Sequence, residues 1–172
     1  VWDDMPELSP PLIDGVLRQG HKMLLAGPSK AGKSFALIEL GCAIAEGVKW
    51  INWQCAKGKV MYVNLELDRA SCLHRFKDVY NALGLQPDNL KNIDIWNLRG
   101  KSVPMDKLAP KLIRRAQKKN YIAIVIDPIS LKVAGFSFAT ISFSSFFEFS
   151  SLLQLVIRAN AANNVILNFF IC

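Results

Sequence analysis

The sequence predicts a doubly wound α/β domain, a mostly parallel sheet with helices on both faces. Three observations in the 172 residues predict it. Apolar runs and helix-length segments alternate along the chain, as right-handed crossovers in a parallel sheet require. A turn bracketed by glycines, residues 27–34, joins the first apolar run to the first helix. A later apolar run, Tyr121 to Ile126, ends in the carboxylate Asp127.

Composition sets the limits. Hydrophobic residues make up 51%, which argues against disorder, and the length suits one domain with a core of its own. The net charge of +7 suits a polyanionic partner, although solubility alone explains it as well. Beyond Val133 the only charged residues are Glu148 and Arg158. Cys42, Cys55, Cys72 and Cys172 form no C-x-x-C and no metal spacing, so they read as reduced, mostly buried thiols of a cytosolic protein. Asp3, Asp4 and Glu7 near the start predict no signal peptide, and a cytoplasmic location follows.

The first elements carry the chemistry. Residues 1–11, with Pro6, Pro10 and Pro11, read as an extended lead-in. Leu12 to His21 contain Gly15 and Gly20 and read as turns feeding a strand, with His21 an edge residue and not a ligand. Met23-Leu24-Leu25-Ala26 is a short apolar run of the kind a buried parallel strand shows. Gly27-Pro28-Ser29-Lys30-Ala31-Gly32-Lys33-Ser34 then fits G-x-x-x-x-G-K-[ST], the phosphate-binding loop. Gly27 and Gly32 lack a Cβ, so the backbone can turn sharply beside a phosphate chain, and the successive N–H groups form an anion nest. The helix that follows, Lys33 to Glu46, adds its N-terminal amides and dipole, and Gly47 stops it. Lys33 is placed to reach the β- and γ-phosphates, and Ser34 to ligate Mg²⁺. Gly27, Pro28, Ser29, Lys30, Ala31, Gly32, Lys33, Ser34 and Phe35 are the ATP-binding candidates.

The remaining elements complete the frame. Trp50 and Trp53 read as a core patch or, less simply, a lid over a base. Lys59 to Leu65 is a second buried strand that ends in Glu66, at the sheet edge where α/β ligands bind. Glu66 either polarises the attacking water or caps the next helix. Asp68 is better placed to cap, which favours the catalytic role for Glu66. Asp68 to Leu83 reads as a helix in which His74 and Arg75 lie on the flank or outer face and carry no chemistry. Asn92 to Leu98 alternates as a half-covered strand does, and Met105 to Asn120 is a further helix, with Pro110 shifting its start or kinking its first turn. On that helix Lys107, Lys111, Arg114, Arg115, Lys118 and Lys119 crowd one side, as a nucleic-acid contact or a solvated face does. Asp127 at the end of its apolar strand supplies the second half of the phosphate site, a carboxylate that holds Mg²⁺ through water.

With those residues in place, the chain resembles the RecA-like P-loop ATPases, and within them the RepA-type hexameric replicative helicases and their mobile-element relatives. The resemblance covers about residues 12–132 and rests on Leu12 through Gly20, Gly27 through Ser34, Val60 through Glu66, Arg75 with Phe76, and Ile124-Val125-Ile126-Asp127-Pro128. It implies hydrolysis of Mg·ATP with Glu66 as catalytic glutamate, in a homo-oligomeric ring serving plasmid or mobile-element DNA replication on single-stranded DNA.

The departure from that pattern begins after Lys132. Relatives of this kind continue with an acidic, Asn-containing loop, a helix, and a strand that ends in polar sensor residues. Residues 133–172 are instead rich in Ser and Phe, and a membrane span there is weakened by Glu148 and the serines. The expectation is an ATPase core over 1–132 and an atypical tail over 133–172, with the coding sequence truncated or frameshifted near 132. Within the tail, Leu152 to Ala162 reads as a helix and Val165 to Ile171 as a strand filling the gap between the phosphate-loop strand and the Asp127 strand, while 134–150 should be irregular. Hydrolysis should then be weak although binding survives. Two other functions fit the same residues: a nucleotide-binding module with little turnover that acts through protein interaction, and a small-molecule P-loop kinase.

Overall fold

The computed structural model describes residues 4–23, 25, 30–101, 105–129 and 167–171. Its centre is a parallel sheet of β5 (Lys59–Asn64), β6 (Ile93–Asn97), β7 (Tyr121–Ile129) and β8 (Leu167–Ile171), in the order β6-β5-β7-β8. Two small hairpins stand outside it. One is β1 (Pro11–Ile13) with β2 (Leu17–Arg18), the other β3 (Lys49–Trp50) with β4 (Trp53–Gln54).

The pleat divides the core into two layers, because successive side chains of a strand point to opposite faces. Val60 and Tyr62 of β5, with Ala123 and Val125 of β7, pack on one face against α1 (Lys33–Glu46), α2 (Arg69–Ala82) and the hairpins. Met61 and Val63, with Ile124 and Ile126, pack on the other against Leu108, Ala109, Leu112 and Ala116 of α3 (Met105–Lys119). Helices therefore cover both faces of the sheet.

Each helix has a local cause. Helix α1 follows Gly32, whose φ of 82° lies in the left-handed region that a side chain disfavours. It buries Leu37, Ile38 and Leu40 through Ala45. Helix α2 is capped by Asp68, which accepts the Ser71 N–H at 2.9 Å and the Ser71 hydroxyl at 2.6 Å. Helix α3 runs through Pro110 from Met105 onward, so the proline does not displace its start. Gly58, just before β5, lets the chain pass close to β7: a Cβ there would stand 2.4 Å from Ile122 Cδ1.

Three expectations are corrected. Residues 12–21 are a hairpin and not only turns, and Leu12 and Ile13 are fully buried, so its apolar edge belongs to the core. Met23 and Leu25 pack against the first core layer but form no strand; Leu24 and Ala26 lie outside the described residues. Arg115, counted on the basic side of α3, is drawn inward. It meets Asp94 at 2.6 Å, hydrogen-bonds the Tyr121 hydroxyl and stacks 4.9 Å from the Trp96 ring centroid. Lys107, Lys111, Arg114, Lys118 and Lys119 stay exposed.

Strand β8 lies parallel to β7 on the side away from β5. The expected helix at 152–162, the irregular stretch at 134–150, Val165 with Ile166, and the junction at 132 lie outside the described residues. No helix among the described residues is long and apolar enough to cross a membrane.

Candidate functional site

The C-terminal ends of β5, β6 and β7 share one edge of the sheet, and α1 begins beside it. Asn97, Asn64 and Asp127 are register partners across the three strands. A cavity of about 430 Å³ opens there, lined by Lys30, Ala31, Gly32, Lys33, Ser34, Phe35, Glu66, Leu67 and Arg75. The second half of the phosphate-loop motif and Glu66 thus face the same space. Gly27, Pro28 and Ser29, the rest of that motif, lie outside the described residues.

Charge in the cavity suits an anion. Lys30, Lys33 and Arg75 line it against the single carboxylate Glu66. The Arg75 guanidinium lies 4.9 Å from the Phe35 ring centroid, which ties the first turn of α1 to α2 across the mouth.

Asp127 sits below this space, 5% exposed, and both of its oxygens are engaged. Ser34 Oγ donates to Oδ1 at 3.2 Å, and Tyr62 Oη donates to Oδ2 at 2.5 Å. Burial and the neighbouring Asp127 charge push the Tyr62 phenol up, so it stays protonated as a donor. With Oδ2 taken by Tyr62, Oδ1 is turned toward Ser34. A hydroxyl and a carboxylate are hard oxygen donors, and Mg²⁺ takes one or two protein ligands beside substrate phosphates and waters. Ser34 and Asp127 fit that role. Among the described residues no group of three or more His, Cys, Asp or Glu could hold a metal without such help.

Glu66 stands in the turn after β5, exposed to the cavity. The turn itself is organised by buried Asn64, whose Oδ1 accepts the backbone N–H of Leu67 at 2.9 Å and of Glu66 at 3.3 Å. Asp68 is occupied as the cap of α2, which leaves the Glu66 side chain outside that task.

Several neighbours were not legible as site residues. Tyr62 reads as core because it lies in an apolar run. Arg75 lies on the outer side of an isolated helix and reaches the cavity only because of how α2 docks. Asn64 did leave a signal, a polar residue at the end of a buried strand where an Asx turn can start. The tryptophans stay apart from the cavity. Trp50 is buried and donates to the Ala36 carbonyl at 3.0 Å, while Trp53 is 40% exposed. The described cysteines are buried free thiols, raised chiefly by burial to about 12 for Cys42 and about 11 for Cys55 and Cys72.

No curated protein matches the chain. Residues 3–140 match the family model described as AAA domain, a stretch that holds the whole phosphate-loop motif, Glu66 and Asp127. The chain belongs to the AAA domain family of P-loop ATPases.

Proposed function

We propose that this chain is the RecA-like core of a RepA-type replication ATPase, which binds Mg·ATP and hydrolyses it to act on DNA. One observation carries the reading: Ser34 and Asp127, 93 residues apart, meet at 3.2 Å beside the cavity that Glu66 and Lys33 line. A chance G-x-x-x-x-G-K-[ST] match gives no reason for that meeting.

The roles follow from position. Lys33 and the first-turn amides of α1 bind the phosphates. Ser34 and Asp127 hold Mg²⁺, which when bound neutralises charge on the phosphate oxygens. The Glu66 carboxylate orients a water and accepts its proton as the water attacks the terminal phosphorus, while the bond from that phosphorus to the bridging oxygen breaks and ADP leaves with the electron pair. Residues 1–132 form the core in this reading, with β8 added from the segment after it. A cytoplasmic homo-oligomeric ring on single-stranded DNA completes it. What supports the DNA partner on the surface is the stripe Lys107, Lys111, Arg114 and Lys118, exposed at helical spacing along α3.

The test is phosphate release from ATP with and without single-stranded DNA. Stimulation by DNA, abolished in Lys33→Ala, is expected. Tight nucleotide binding without turnover would favour the interaction module, and a phosphorylated acceptor the kinase.

A further inference from the structure

We propose that Asn64 is the positioning residue for Glu66: it fixes the turn from which Glu66 meets the reacting water. The inference rests on the reading of Glu66 given above and adds a residue to it.

Asn64 ends β5 and is 1% exposed, one of the two buried polar or charged side chains among the described residues. Its side-chain bonding capacity is fully used. Oδ1 accepts from the backbone N–H groups of Glu66 and Leu67, at 3.3 and 2.9 Å. Nδ2 donates to the Leu67 carbonyl at 2.7 Å and to Asn97 Oδ1 at 2.8 Å. The amide has one sensible orientation, since a flip would set its NH₂ against two N–H donors. The first three bonds close the turn on itself. The fourth anchors it to β6, where Asn97 is the register partner.

The backbone around the turn is held as well. Leu65 N–H donates to the Asp127 carbonyl at 2.9 Å, and Leu98 N–H to the Asn64 carbonyl at 2.8 Å. Leu65 and Asn64 are therefore tied to β7 and β6, and Asp68 anchors the turn's exit to α2. Glu66 itself is exposed and takes its place from this frame. Asn is the residue type that can do this. Ala leaves the Glu66 and Leu67 backbone groups of the turn without these partners, and Asp keeps the acceptor but loses both donated bonds and places a charge at a buried site.

Displacing a catalytic group by about 1 Å can cost about a hundredfold in rate. The experiment uses the full chain with Asn64→Ala, Asn64→Asp, Glu66→Gln and the Asn64→Ala/Glu66→Gln double variant. Single-turnover hydrolysis is measured beside the affinity for a fluorescent ATP analogue. Asn64→Ala is expected to lower kcat by roughly ten- to a hundredfold while nucleotide affinity changes by less than about twofold. Glu66→Gln should then cost less in the Asn64→Ala background than in the native one, because both changes spoil the same group. Multiplicative losses, a native rate in Asn64→Ala, or a loss confined to affinity would overturn the proposal. Should both Asn64 variants fail to fold, Asn97→Ala removes only the anchor to β6, and a native kcat there overturns it. If Glu66→Gln itself turns over normally, the reading of Glu66 falls too. A silent Asn64→Ala beside an inactive Glu66→Gln removes this proposal alone.

Discussion

Asp127 and Glu66 stand at the same edge of the sheet and are held in opposite ways. Asp127 is buried and gripped directly, one oxygen by Ser34 and the other by Tyr62. Glu66 is exposed, and its order comes through the backbone, from Asn64. The difference matches the two tasks proposed for them. A metal ligand gains from oxygens fixed before the ion arrives, while a group that must meet water gains from a fixed turn and a free carboxylate. The same strand, β5, supplies both devices: Tyr62 two residues before Asn64, on the same side of the pleat.

Substitutions can break this contrast, and the largest effect is expected at Glu66. Glu66→Gln should lower the hydrolysis rate by about a hundred- to ten-thousandfold and leave ATP bound, measured by single-turnover assay beside equilibrium binding. Next is Asp127→Asn, where Mg²⁺-dependent tightening of nucleotide binding should weaken by roughly 10- to 100-fold, the cost of an outer partner that holds the ion through water. A Mg²⁺ titration of binding reads it, and an unchanged curve would remove Asp127 from the cation site. Tyr62→Phe sharpens the comparison further. The ring still packs edge-on at 5.1 Å from the Phe76 ring centroid, so only the hydroxyl is lost. Mg²⁺ affinity should fall about tenfold, and thermal unfolding should show a loss of about 1–3 kcal/mol for the buried oxygen left unpaired. The smallest effect lies away from both carboxylates. Neutralising Lys107, Lys111, Arg114 and Lys118 should flatten the salt dependence of single-stranded DNA binding, by a slope change of about 3, without altering basal hydrolysis. An unaltered slope returns the stripe to a solvated face.

The sequence was most legible where structure is local. Helix α1 keeps the expected bounds because a glycine stands at each end of an apolar segment, and β5 ends within one residue of its expected limit. The Asp68 cap needs only Ser71 three residues on. Of the candidate site, the second half of the loop motif, Glu66 and Asp127 were all named from spacing and position. What stayed hidden depends on pairing between distant residues. Nothing local tells that Tyr62 will point at Asp127, or that Arg75 will cross to Phe35. The basic character of α3 was read correctly in sum, but Arg115 left that face for Asp94, a partner 21 residues earlier on β6. The hairpin at Pro11 to Arg18 was missed because its strands are three and two residues long, too short for alternation to show.

Gly58 gives the sheet a lever arm. At one end of β5 a single missing methyl lets the chain lie against Ile122, and at the other end, six residues on, Asn64 opens the turn that carries the proposed catalytic Glu66. A strand of that length is a stiff rod of about 20 Å. A side chain wedged in at the near end would tilt the rod away from β7, and a tilt of a few degrees carries its tip through a distance on the order of 1 Å, the scale at which catalytic placement fails. The tolerance of the reactive edge is thus set partly at the opposite edge, by a residue that touches no ligand.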